Sequence, residues 1–362
     1  MDISVECYEA HVPEWASVEL DRLYGNIFSS LVHFRMCGGL EQVHTYVRRS
    51  GIDGKVLAIF LFRIQHGSIA VLNEGMMLQT EEIEHFSAYI FDRYPSIAVI
   101  EFHAVHMPPR RVTRPMQRFY QTEDFVLALP DSTKGYLAML GNATRKNIKK
   151  HLNRWHRDFP DTEYRVYKKS DISEADLRSV VDLNHRRMAM KNKVSAIDED
   201  ELQSMLRMAQ ECGYLCVVRN QDGICAGTLL FRFGEHFVSR VSAHHPRFDD
   251  YRLGTLACFR AVCEAIHQGG RHFHFMWGRY AYKSALGSVL IELHHIVIYR
   301  SYWHVLRHAK LAVLMAYGGY RREAKMWLLE QSKKNSGWMP RMVNAGVNTM
   351  RSWKRLRSHE AA

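Results

Sequence analysis

No apolar run in these 362 residues approaches the roughly 20 needed to span a bilayer, and the longest, Leu311 to Tyr317, falls far short. The opening stretch, Met1 to Glu19, carries Asp2, Glu6, Glu9 and Glu14 where a secretory leader has a basic segment and an apolar core, so export is not expected. Cysteine is scarce and odd in number: the seven, with Cys216, Cys225, Cys258 and Cys263 in apolar segments, read as free buried thiols in a reducing compartment, which makes the cytoplasm the expected location. Cys212 and Cys216 have no second Cys/His pair at zinc spacing, so no metal is expected. What remains is a folded chain, 47% hydrophobic and 24% charged, long enough for two ordinary domains. Its net charge of +11 favours acidic partners, among them nucleotide cofactors, nucleotide-linked sugars, nucleic acid and anionic lipid, without choosing between them.

Lys55 to Ile64 and Ser68 to Leu72 flank Gln65-His66-Gly67 and predict a hairpin. Thr80 opens a helix with Glu81 and Glu82 in its first turn, ended by Pro95, and Ile97 to Val105 follows as a strand. Pro108-Pro109 then begins a basic loop with Arg110, Arg111 and Arg114. Asp131 or Ser132 caps the next helix, and Asn142 or Thr144 caps another whose Arg145, Lys146, Lys149, Lys150, Arg154 and Arg157 make either a solvated linker or an anion-binding face. From Glu163 the pattern restarts: strand Glu163 to Lys168, helices Ser173 to Met190 and Asp198 to Cys212, then strands Tyr214 to Arg219, Ile224 to Phe233 and Phe237 to Ala243. This order predicts an α/β fold of two mixed-sheet halves in tandem, 1–160 and 161–300, with a helical tail over 301–362. The tail reads as helices Ser301 to Gln331 and Met339 to Arg357, with Trp303, Trp327, Trp338 and Trp353 among Lys and Arg. It either packs on the second half or lies on an anionic membrane surface.

The stretch from Val238 to Lys283 holds the best evidence of chemistry. Strand Phe237 to Ala243 runs through His244, His245 and Arg247 to Arg252, Gly254 and Thr255, where a helix over Leu256 to Gln268 begins. Bare amides and the positive dipole end of a helix make that junction an anion cradle, with Gly254 allowing close approach and Arg252 adding charge. Beyond Gly269-Gly270 come His272 to Met276, Trp277-Gly278 and Tyr282-Lys283.

This order resembles the GNAT acyltransferase superfamily, and the closing aromatic–Lys pair resembles its CelD/FemAB-like branch, in which two GNAT-like halves are fused. The likeness covers Arg145 to Arg300. The pyrophosphate loop departs from the family pattern, with Tyr251 where Gln or Arg belongs and Leu256 in place of a second small residue. The resemblance implies acetyl-coenzyme A or another acyl-coenzyme A as co-substrate. Backbone at Val241, Ser242 and Ala243 would hold the acyl and pantetheine part, and Arg247, Arg252, Gly254 and Thr255 the pyrophosphate. It implies Lys283 at the reacting carbonyl or an acidic acceptor group, with Tyr282 beside it. For a base, His244 and His245 lead because imidazole titrates near neutral pH, followed by Glu235. Trp277, Tyr280 and Tyr282 suit a saccharide acceptor or serve as core or lid.

The expected activity is therefore an acetyltransferase acting on an amine or hydroxyl of a sugar in cell-envelope or exopolysaccharide biosynthesis, by analogy with the CelD-like relatives. Its expected partners are the saccharide and, peripherally, a membrane or a polysaccharide synthase. The rivals are a FemAB-type aminoacyl transferase using aminoacyl-tRNA, which no heptad-bearing insertion supports, and a non-catalytic accessory protein of a polysaccharide synthase. Nucleic acid enters only under the first rival.

Overall fold

Runs of Val, Ile and Phe build the strands, and in the computed structural model they join into one mixed sheet. The structure describes residues 3–108, 110, 112–191 and 193–333. The first half contributes β1 (Ile3–Tyr8), α1 (Ala16–Tyr24), α2 (Leu31–His33), β2 (His44–Ser50), β3 (Val56–Gln65), β4 (Ser68–Val71), α3 (Thr80–Arg93), β5 (Val99–Val105) and β6 (Met116–Ala128). Helices α4 (Thr133–Met139) and α5 (Asn142–Asp158) lead to β7 (Glu163–Lys168), α6 (Glu174–Met190), α7 (Glu199–Cys212), β8 (Gly213–Asn220), β9 (Gly223–Phe233) and β10 (His236–His244). The chain continues through α8 (Leu253–His267), β11 (His272–His274), α9 (Ala281–Ala285), β12 (Val289–Tyr299), α10 (Tyr302–Arg307) and α11 (Ala309–Lys333).

Each half repeats one unit: an antiparallel hairpin, a crossover helix and a parallel strand. In the first half this is β3-β4-α3-β5 and in the second β9-β10-α8-β11. The hairpin expected around Gln65-His66-Gly67 is present, and so is the helix from Thr80, where Gln79 and Glu82 form a reciprocal capping box. That helix buries Ile83, Phe86 and Ile90, spaced to share one face. Phe86 is enclosed by the rings of Tyr46, Phe60, Phe62 and Phe102 at 5.0, 4.9, 5.7 and 5.8 Å. Cutting such a ring back to Ala costs about 3–5 kcal/mol.

The closing strands are exchanged. The sheet order is β1-β2-β3-β4-β5-β12-β6-β11-β10-β9-β8-β7. Thus β12, from the end of the second half, pairs with β5, while β6, from the first, pairs with β11. The division at residue 160 separates the two repeated units but not the sheet. Sequence patterning gave no strand over 116–128, because Arg118, Gln121, Thr122, Glu123 and Asp124 hide its alternation.

Three boundaries differ from expectation. Helix α8 starts at Leu253 rather than Leu256, after a 3-10 stretch over Pro246–Tyr251. Gly141, not Asn142 or Thr144, precedes α5 and gives no side-chain cap. The single helix expected from Ser301 to Gln331 is two, broken at His308. The helix expected at Met339 to Arg357 lies outside the described residues.

Candidate active site

Strands β10 and β11 part company early. They pair in parallel over His236↔His272, Phe237↔Phe273 and Val238↔His274 only, although β10 runs on to His244 along its other neighbour, β9. A bulge between Ser239 and Val241 turns β10 away, and Phe275 N donates instead to Phe125 O of β6 at 2.8 Å. The edge of β10 beyond Val238 therefore faces an opening in the sheet.

Two sets of side chains flank it. On the α8 face, Ser242 Oγ lies 3.0 Å from Thr228 Oγ1 and 3.2 Å from Cys258 Sγ. Burial raises the Cys258 thiol and the neighbouring Tyr282 phenol above their ordinary values. Lys283, on α9, is 2% exposed, and its ammonium donates to the carbonyls of Met276 and Trp277 at 2.8 and 2.6 Å. Burial lowers its pKa to about 8, against the opposing pull of Asp124, Cys258 and Glu123. A solvated loop lysine is thereby ruled out for Lys283. Arg187 belongs to α6, which packs on the opposite face through Val180 and Val181, yet its charge acts on both Cys258 and Tyr282. Its Nε is buried with no hydrogen-bond partner.

On that opposite face a hydrogen-bonded chain runs along the sheet. Asp124 Oδ2 accepts from His274 Nδ1 at 2.6 Å, and His274 Nε2 lies 3.0 Å from His236 Nδ1. Burial, then His274 and His272, hold the His236 imidazole down to about 3. Asp124 and His274 line a cavity of about 170 Å³ closed from the first half by Phe28 and Glu74 and from the second by Met276 and Trp277. Burial raises the Glu74 carboxyl. Glu123, at 5% exposure, accepts from Arg279 Nε at 2.6 Å and from Tyr120 at 3.0 Å.

The remaining expected site residues divide. Val241 and Ala243 are buried on the α6 face, and Thr255 N is already bonded to Arg252 O at 2.9 Å. Arg252 is exposed at the start of α8, near Lys150 and Arg154, and all three cations act on His151. The open approach expected at Gly254 is corrected: a Cβ there would meet His244 Nδ1 at 2.5 Å, so the imidazole covers the glycine. His244 itself is bound through Nε2 to Asp249 at 2.7 Å. His245 points the other way, as strand alternation requires, into a separate hollow with Arg186 and Asp222. Arg247 joins it there, paired with Asp222 at 3.1 Å, so neither faces Lys283. Glu235 precedes β10 at the end where β10 and β11 are still paired, and its carbonyl accepts from Arg271 N and His272 N at 2.7 and 3.2 Å. It is not brought to the opening.

Sequence reasoning passed over Asp124, His274, Glu123, Arg279 and Arg187. A signal existed for the first two: adjacent carboxylates inside a strand, and His-Phe-His with both imidazoles on one face. A hollow of about 740 Å³ lies between α5, α8 and β7 and includes none of these groups. Metal-ligand spacing among the described residues occurs at Glu101, His103 and His295, whose donor atoms lie within 4.8 Å of one another. A 3.3 Å contact between His295 Nε2 and Glu101 Oε2 already accounts for two of the three.

Residues 142–284 match a family model described as an acetyltransferase (GNAT) domain. The match runs from α5 through α9 and takes in the opening and Lys283. Residues 142–284 thus form a GNAT domain, a domain of acyltransferases. Among solved structures it is similar to FemX, with 10% identity over 82% of this chain and 97% of that one and a TM-score of 0.57, a likeness of fold. It is also similar to L-PGS from Bacillus licheniformis (14% identity, 85% and 98% covered, TM-score 0.46) and to a tandem GNAT protein from the clavulanic acid biosynthesis pathway (12%, 82% and 98%, TM-score 0.39). No curated protein sequence matches the chain.

Proposed function

We propose that the opening between β10 and β11 takes the acyl group of an acyl-coenzyme A, acetyl in the simplest case, and passes it to an amine or hydroxyl of a saccharide. The observation that carries this reading is the three-residue pairing of β10 with β11, which leaves strand backbone free to bind a pantetheine amide beside Lys283. The donor's diphosphate lies at the start of α8, among Arg252, Lys150 and Arg154, and takes its place by turning the His244 ring off Gly254.

The acceptor enters from the opposite face, where the cavity lies. Asp124, whose Oδ2 is bonded to His274 and whose Oδ1 has no partner, takes the acceptor's proton as its nitrogen or oxygen attacks the thioester carbon. Lys283 supplies positive charge for the oxygen of the tetrahedral intermediate, and Tyr282, a neutral phenol, gives its proton to the departing thiolate. Trp277 and Tyr280, 51% and 44% exposed, offer flat faces at the mouth for sugar C–H surfaces. The GNAT-type halves serve envelope or exopolysaccharide synthesis under this reading, with peripheral contact to a synthase.

A second reading keeps the site and changes the donor to an aminoacyl-tRNA, and the fold likeness to FemX favours keeping it in view. Incubation with acetyl-coenzyme A, or with aminoacyl-tRNA, and a panel of saccharides and nucleotide sugars, with products read by mass, separates the two. Thermal stabilisation by acetyl-coenzyme A is expected. No stabilisation at saturating ligand, and no product from either donor, would leave the accessory-protein reading.

A further inference from the structure

Helix α11 presents an apolar side to solvent where a surface helix is ordinarily polar. Its inner side is accounted for: Ala312 is buried with Val297 and Tyr299, and Gly319 sits so close to the Phe119 ring that a Cβ would meet it at 2.4 Å. The outer side carries Val313, Leu314, Tyr317 and Trp327 at 65, 56, 66 and 51% exposure. Steps of four and ten residues keep Val313, Tyr317 and Trp327 within about one third of the helix circumference at 100° per residue. Helix α10 extends the surface with Trp303 and Leu306, 67% and 69% exposed.

Exposed apolar surface on this scale marks a contact. Three occupants are conceivable, and charge distinguishes them. Lys310, Arg321 and Lys325 border the stripe, and residues 301–333 hold six Lys and Arg against two Glu. The chain beyond, 334–362, carries six Lys and Arg against one Glu, so folding back would set like charges together. A second copy would bring the same basic border to the contact. An anionic bilayer satisfies both features at once, receiving Trp and Tyr at head-group depth and pairing Lys and Arg with phosphates. No helix among the described residues is long and apolar enough to cross a membrane, so the contact is in the interface plane.

We propose that α10 and α11 form a docking face for an anionic lipid surface, with α11 lying flat between the sheet and the head groups. The proposal stands apart from the identity of donor and acceptor.

The test uses the full chain and vesicles of phosphatidylcholine with or without phosphatidylglycerol, followed by co-sedimentation. Binding to the anionic vesicles, weakening with added salt, is expected, with little binding to phosphatidylcholine alone. The R321E/K325E variant should bind the anionic vesicles about tenfold or more weakly, and V313E/Y317E should not bind, both keeping the wild-type circular dichroism spectrum. The proposal is overturned by no binding to phosphatidylglycerol vesicles, or by V313E/Y317E binding as the wild type does. It is equally overturned if light scattering shows a dimer that V313E/Y317E dissociates, which would give the face to a second copy.

Discussion

The two repeated units differ most where a ligand would enter. In the first, β4 is four residues long and every one of them pairs with β5, from Ser68↔Val99 to Val71↔Phe102. In the second, β10 has nine residues and only three pair with β11. The helices that follow differ in sign as well. Helix α3 opens with Glu81 and Glu82, whereas α8 opens behind Arg252 with no acidic residue in its first turn. One copy of the same topology is fully paired and has carboxylates at the start of its crossover helix; the other has a parted sheet and a cation at that place.

The sharpest break in that contrast is Lys283→Met. Removing the ammonium strands the carbonyls of Met276 and Trp277, at about 1–3 kcal/mol of stability for a buried unpaired group, and transfer should fall about 100-fold or more. Turnover and melting temperature, measured together, check it; undiminished turnover removes Lys283 from the site. The amine also sets a pH signature. Its folded pKa of about 8 lies below the ordinary 10.5, so between these values the unfolded chain binds more protons and this group's contribution to stability rises with pH. Transfer that depends on the ammonium should do the reverse and decline as pH passes about 8, a decline that Lys283→Arg should abolish in a pH–rate profile.

Gly254→Ala should weaken acetyl-coenzyme A binding about tenfold, or 1.4 kcal/mol, by wedging the His244 ring. Adding His244→Ala should restore much of it, as isothermal titration would show. The matching change in the fully paired unit, Glu81→Gln, should leave affinity where it was. The smallest effect belongs to Trp277→Ala, which should raise the acceptor KM several-fold, about 1 kcal/mol of lost packing, without changing kcat.

Repeated local signals made much of this legible in advance. The second half follows its sequence pattern closely because Ser173 and Asp198 cap their helices with their own side chains and the Asn220–Gly223 turn fixes a hairpin. Lys283 was singled out by likeness to a family, and the fold buries it at 2% exposure. What stayed hidden depends on partners distant in sequence. Strand β6 is polar because Glu123 has Arg279 and Asp124 has His274, both about 150 residues away, to neutralise them. The covering of Gly254 by His244 follows from a side chain ten residues earlier, across a 3-10 turn that no periodicity announces. Glu235 and His245 were plausible by residue type and excluded only by direction along and across one strand.

The swapped closing strands also constrain how the polypeptide comes into being. Residues 99–105 cannot gain their neighbour until 289–299 have been synthesised, so the first unit leaves the ribosome with one flank unzipped, and the last hydrogen bonds to form join the most distant parts of the chain. Closure over such a span is slow, and the exposed flank is a natural target for a chaperone until it is complete. Fragments cut near residue 160 should accordingly be insoluble singly and recover only when co-expressed.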